Sequence, residues 1–120
     1  MFRTISMRQL EEMLERRYGV RSGGGGRGET FVLLDVRSRE EYAKGHLRGA
    51  WNFPYEEMEY ADGRRSCIIG LPRGTPVIVY CDYGSHSMQA SRILERLGYQ
   101  VINTAGGLSY YRGRHMVRGT

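Results

Sequence analysis

The sequence predicts an α/β fold in which helices cover both faces of a parallel sheet. Three observations carry this. FVLLDV (residues 31–36) and VIVY (residues 77–80) are continuous apolar runs, a pattern that suits strands buried on both faces. Segments with helical spacing of apolar residues fall between successive strand candidates, which is the order of a layered α/β domain. The chain has 120 residues and 40% of them are hydrophobic, enough for the core of one domain and too few residues for two.

The elements follow in chain order. Phe2 to Ile5 is a short β-like stretch. Ser6 with Gln9 forms a capping-box pattern, and Met7, Leu10, Met13 and Leu14 recur at helical spacing behind it. This helix is expected to run to about Arg17, with Gly19 suited to its stop. Residues 22–29 are glycine-rich and read as a flexible connector. Gly23, Gly25 and Gly28 formally match GxGxxG. The match fails on context, because a dinucleotide fingerprint follows a strand and opens a helix, and this one does the reverse. Phe31–Asp35 is the next strand. Ser38 and Glu41 form a second capping box for a helix from Arg39 to Lys44, which Gly45 ends. Ala50 to Phe53 is a short strand stopped by Pro54. Tyr55 to Tyr60 suits one or two helical turns, and Asp62-Gly63 a turn. Val77–Tyr80 is the clearest strand. Cys81 to His86 reads as a loop, and Ser87 as the cap of a helix whose Ala90, Ile93, Leu94 and Leu97 share a face. Gly98 suits its C-terminal stop, Tyr99 to Ile102 the last strand, and Gly106-Gly107 the turn into a short terminal helix. Residues 113–120 have no apolar pattern and are expected to fray.

Charge narrows the class of partner. Eighteen basic against thirteen acidic residues give a net charge of +5, and all the basic residues but Lys44 are arginines. Such a balance favours anionic partners. The arginines are scattered in runs of no more than two, so the pattern reads as a solvated surface rather than a nucleic-acid face. No apolar run approaches the ~20 residues of a membrane span, and the N-terminal segment has no apolar signal core. Together with only two cysteines, Cys67 and Cys81, this argues for a cytoplasmic protein without a disulfide framework. Neither the cysteines nor the histidines stand at metal-ligand spacing, and no metal or cofactor is expected.

The chemistry concentrates in VIVYCDYGSHSMQASRILERLGY. A buried parallel strand ends in Cys81, a loop follows, and a helix begins. Ligands of open parallel sheets bind beyond the carboxyl ends of the strands. A loop that curls into a helix N-terminus points successive N–H groups at one spot, a geometry that binds anions and favours a thiolate. Cys81 is thereby placed as a nucleophile. The competing reading is a buried structural cysteine at a strand end, and spacing alone leaves both open.

Three ordered blocks add a resemblance. LLDVRSREEYAKGHLRGAWNFP carries Asp35, Arg37, Glu41, Tyr42, Gly45, His46, Gly49 and Ala50. VIVYCDYGSHS follows a strand, and AGGLSYY lies near the C-terminus. Together they resemble the single-domain rhodanese-like sulfurtransferases over nearly everything from Ser6 to Tyr111. The resemblance implies a five-stranded parallel sheet with helices on both sides. It also implies covalent catalysis in two steps, with no cofactor. Cys81 takes the sulfane sulfur of thiosulfate or of a protein persulfide donor, and a thiol or protein acceptor then takes it away. The N–H groups of Asp82, Tyr83, Gly84, Ser85, His86 and Ser87 are implied to cradle the persulfide and the substrate anion. Asp35 and Arg37 are implied supports near the active-site end, neither nucleic acid nor membrane is a partner, and no metal is involved.

The loop departs from the family pattern at two places. Active members of this size usually carry arginine at the second and sixth loop positions, where this chain has Asp82 and His86. A fixed bidentate cation for dianionic thiosulfate is therefore missing from the loop. That favours a protein persulfide donor, and it keeps a noncatalytic partner-binding module as the alternative. Phosphatase chemistry is disfavoured, since the nearest arginine after Cys81 is Arg92, well inside the helix. Among the remaining residues, Asp35 either orients the loop through its amides or caps its own turn. Arg37 and Glu41 suggest a fold-maintaining ion pair, and His46 a hydrogen-bonded structural role. Gly106 and Gly107 are expected to shape the pocket wall, Tyr83 to screen the mouth, and Cys67 to be a small buried hydrophobe.

Overall fold

The computed structural model describes residues 2–18, 30–61 and 70–119. The expected glycine-rich connector at 22–29, the Asp62-Gly63 turn and Cys67 lie outside them. Chain order runs β1 (Arg3–Ile5), α1 (Met7–Tyr18), β2 (Val32–Asp35), α2 (Arg39–Lys44), β3 (His46–Leu47), β4 (Trp51–Asn52), α3 (Tyr55–Ala61), β5 (Val77–Tyr80), α4 (Ser85–Arg96), β6 (Val101–Thr104), a 3-10 turn at Leu108–Tyr110 and β7 (Met116–Val117). Five strands form one parallel sheet in the order β1-β6-β5-β2-β4, so β5 lies at its centre.

Strand alternation divides the core. Leu34, Val77, Val79 and Val101 face Ala90, Ile93 and Leu94 of α4 and Tyr55 and Met58 of α3. Leu33, Ile78 and Tyr80 face the other way, onto Met7, Leu10, Met13 and Leu14 of α1. Successive residues of one strand thus fill opposite layers, as the pleat requires, and β5 is buried at every position.

Both capping boxes form. The Ser6 hydroxyl accepts from the Gln9 N–H at 3.1 Å, and the Gln9 carboxamide oxygen accepts from the Ser6 N–H at 2.8 Å. Ser38 and Glu41 exchange the same pair of bonds and set α2 at Arg39–Lys44. Three expectations are corrected. Helix α4 starts at Ser85, two residues before Ser87, for a reason that belongs to the site below. The last sheet strand begins at Val101 rather than Tyr99. The Tyr99 N–H is spent on the Leu94 carbonyl at 3.1 Å while Gly98, in the left-handed region at φ 97°, donates to Glu95, and this closes the end of α4. The segment expected to fray instead forms β7, antiparallel to β3, with His46 opposite Val117 and Leu47 opposite Met116. His115 anchors it: its side chain is buried, and Nε2 lies 3.1 Å from Glu15 and 3.8 Å from Glu11 of α1. A buried polar residue of this kind leaves no trace in an apolar pattern.

Among the described residues no helix is long and apolar enough to cross a membrane.

Candidate active site

Cys81 follows directly on the central strand, at the carboxyl end of the sheet. It is a free thiol, buried with 3% of its surface exposed. Two backbone N–H groups point at its sulfur. Gly84 donates at 3.0 Å and Ser87 at 3.3 Å. Gly84 makes this possible. It sits in the left-handed region at φ 103°, so the chain reverses within three residues of the cysteine and enters α4.

The sulfur thereby takes the part of a helix cap. No side chain caps α4 at Gly84, and the helical ladder opens with Met88 donating to the Gly84 carbonyl at 3.2 Å. The N–H of Ser87 has no carbonyl four residues back within the helix, and Cys81 Sγ accepts it. For this reason the helix begins at Ser85 and needs no Ser87 cap. Ser87 is instead buried in the first turn, its hydroxyl donating to the Gly84 carbonyl at 3.1 Å and the Thr104 carbonyl at 3.4 Å. Donors aimed at one atom from a helix start stabilise negative charge there.

The glycine pair after β6 braces the loop directly. Leu108 donates to the Cys81 carbonyl at 2.8 Å, and Ser109 to the Asp82 carbonyl through its N–H at 3.0 Å and its hydroxyl at 2.9 Å. Gly107, at φ 68°, lies so close that an added Cβ would sit 2.3 Å from the Asp82 carbonyl and 2.4 Å from the Cys81 oxygen. Gly106 packs on Gly84, where a Cβ would meet the Gly106 nitrogen at 3.1 Å.

Asp35 and Arg37 form a buried pair beside the loop. The Asp35 carboxylate accepts from the Arg37 N–H at 2.8 Å and from the guanidinium at 2.8, 3.1 and 3.2 Å. Asp35 therefore caps its own turn and fixes Arg37, while the loop amides serve the sulfur. Burial alone would push the guanidinium down, but the hydrogen bonds and charge of Asp35 more than offset it and hold Arg37 above its ordinary value. Arg37 also donates to the Gly45 carbonyl and reaches Asp82 Oδ1 at 3.5 Å. The expected Arg37–Glu41 ion pair is corrected: the guanidinium binds Asp35 and Asp82, while Glu41 is held by the Ser38 capping box.

Asp82 is the second loop position, and its environment is unlike that of a free surface carboxylate. Burial and a hydrogen bond to Glu41 push its carboxyl up to about 6, while the bond from Asp82 holds Glu41 down. Arg37, Glu41, Lys44, Asp82, Tyr83 and Met116 line an open cleft of about 410 Å³ at this spot. Tyr83 is 74% exposed on its rim. His86 projects from the first turn of α4 and stacks on Tyr55, ring centroids 4.8 Å apart and planes 12° from parallel. Ser85 is exposed at the helix start. A larger cavity of about 520 Å³ opens between Phe2, Phe31, Pro76 and Gln100, residues outside the loop that holds Cys81.

The sequence singled out each loop residue. It missed the Asp82–Glu41 contact and the Tyr55–His86 stack, which bring together residues 41 and 31 positions apart and have no local signature.

Comparison with known proteins settles the family. The rhodanese-like domain model matches residues 22–114. The chain belongs to the rhodanese-like family. It is similar to the thiosulfate sulfurtransferase PspE of Escherichia coli, 37% identical over 75 residues that span 62% of this chain and 68% of that protein. It is 35% identical over 82 residues to a probable molybdopterin-synthase adenylyltransferase of Porphyra purpurea, covering 66% of this chain but 20% of that longer protein. Among solved structures, a rhodanese-like domain protein from Staphylococcus aureus superposes with a TM-score of 0.76 over 99% of this chain and all of that one, at 18% identity. An E. coli rhodanese with anions covers 75% of this chain and all of its own, with a TM-score of 0.55 and 31% identity. The predicted fold, a five-stranded parallel sheet with helices on both sides, is the fold observed.

Proposed function

We propose that this rhodanese-like domain is a sulfurtransferase with Cys81 as its nucleophile. The observation that carries the reading is the Cys81 sulfur at the end of the central strand, with the Gly84 and Ser87 N–H groups directed onto it. The same cradle suits a persulfide, whose charge sits on the added sulfur. In the loading step the Cys81 thiolate attacks the outer sulfur of thiosulfate. An S–S bond forms at Cys81, the bond to the sulfonate breaks, and sulfite leaves with its electron pair. In the second step an acceptor thiolate attacks the outer persulfide sulfur. The acceptor becomes the persulfide, and Cys81 recovers its thiolate. A protein persulfide donor enters the first step in the same way, releasing its own thiolate. Relatives named as thiosulfate sulfurtransferases support this reading. Neither step needs a cofactor or metal, and a reducing compartment such as the cytoplasm keeps the thiol available.

A second reading draws on Asp82. Its carboxylate stands 3.5 Å from Arg37, where it opposes an anionic donor, and this favours a domain that binds a partner without turnover. Sulfur transfer to cyanide separates the two. The sulfurtransferase reading expects thiocyanate from wild-type protein supplied with thiosulfate or a persulfide donor, and none from Cys81→Ser. No thiocyanate from either donor would leave the binding module.

A further inference from the structure

Resting on the sulfurtransferase reading, we propose that Asp82 selects the sulfur donor. It occupies the edge of Arg37 that an anionic donor would need, so the site favours donors that carry less charge than thiosulfate.

The geometry is specific. Arg37 is fixed from one side by Asp35 and the Gly45 carbonyl, which leaves Nη1 to face the cleft beside the catalytic loop. Asp82 Oδ1 lies 3.5 Å from that Nη1. Glu41 of α2 braces Asp82 from the other side through a carboxyl–carboxylate hydrogen bond. Among the described residues the charged groups lining the cleft are Arg37, Glu41 and Lys44 of α2, and Asp82 itself, with Asp35 buried beneath Arg37 at the end of β2; Leu108, Ser109 and Met116 add none. When Asp82 is ionised, three carboxylates oppose two cations. When Asp82 holds its proton, the charges balance and Arg37 is open to an anion. A dianionic donor feels this change twice as strongly as a singly charged one. The proton equilibrium of Asp82, pushed up to about 6 by burial and Glu41, lies where it changes donor preference over a mildly acidic range.

The experiment compares specificity constants for loading Cys81 from thiosulfate and from the persulfide of N-acetylcysteamine, whose carrier has no charge. In that second donor the Cys81 thiolate attacks the terminal sulfur and the carrier leaves as its thiolate. Asp82→Asn is expected to shift the thiosulfate-to-persulfide ratio about tenfold toward thiosulfate at pH 7.5, the effect of removing one charge near a dianion. In the wild type the ratio is expected to rise as pH falls through about 6, and in Asp82→Asn to lose that rise. Glu41→Gln is expected to move the rise to lower pH, because Glu41 adds to burial in holding the proton on Asp82. A ratio unchanged in Asp82→Asn, or moved toward the persulfide, overturns the proposal. If neither donor loads Cys81 in any variant, the sulfurtransferase reading falls instead. Thiosulfate binding by titration calorimetry then decides on Asp82: tighter binding to Asp82→Asn supports its opposition to anions, and equal binding refutes it.

Discussion

Gly107→Ala tests whether the loop that holds Cys81 depends on the segment that follows β6. The backbone at Gly107 has φ 68° and ψ −172°, a region that L side chains essentially do not enter and that costs about 1–3 kcal/mol to impose. Space forbids the methyl as well, since the new Cβ would stand 2.3 Å from the Asp82 carbonyl carbon and oxygen. The loop and the 3-10 turn must move apart. That breaks the Leu108–Cys81 and Ser109–Asp82 backbone bonds, worth about 1 kcal/mol each. The combined destabilisation is about 3–5 kcal/mol, a large share of the total stability of a domain this size. Urea unfolding followed by circular dichroism measures it directly, and persulfide loading of the folded fraction measures the loop. Gly74→Ala is the control, because no atom of the described residues lies within 4 Å of its Cβ and its φ lies outside the left-handed region. It is expected to be neutral or to stabilise by about 0.4–1 kcal/mol. A Gly107→Ala protein within about 1 kcal/mol of wild type, loading sulfur at the same rate, would refute the claim that this glycine seats the loop.

Other outcomes follow from single contacts. Arg37→Ala leaves the fully buried Asp35 carboxylate without its partner and is expected to cost about 3–5 kcal/mol in urea unfolding; a loss below about 1 kcal/mol would contradict the pairing. Asp82 holds its proton more tightly folded than unfolded, so its contribution to stability is lost as pH rises from about 4 to about 6. Asp82→Asn is accordingly expected to gain stability relative to wild type at pH 7.5 but not at pH 4, and equal differences at both would exclude the shift. His115→Ala removes the buried anchor of β7 and is expected to cost about 1–3 kcal/mol. Amide exchange should speed up at residues 116–117, while unchanged exchange would show that the β3–β7 pairing holds without it.

The sheet was legible because its strands are fully buried runs, and α2 because Ser38 and Glu41 state its start in four residues. The site was legible as far as its local chemistry went: a strand ending in Cys81, a glycine three residues on, and a helix. What stayed hidden depended on distance along the chain or on an unusual partner. The start of α4 escapes the sequence pattern because a sulfur atom, not a side-chain oxygen, receives the Ser87 N–H. The i, i+4 spacing suggests Glu41 as the partner of Arg37, but Asp35, two residues back, takes the guanidinium, and the second partner, Asp82, lies 45 residues away. The tail reads as frayed from its sequence because its anchor, His115, is buried through a polar contact with α1 that periodicity does not register.

If Cys81 is the nucleophile, the transferred sulfur resides on its sulfur atom, held by the Gly84 and Ser87 N–H groups. Peptide-level mass spectrometry on freshly reduced protein, after exposure to thiosulfate and separately to a persulfide donor, tests it most directly. A cyanide-labile addition of about 32 Da is expected on the peptide containing Cys81. An addition confined to the Cys67 peptide, or none on Cys81 from either donor, would contradict it.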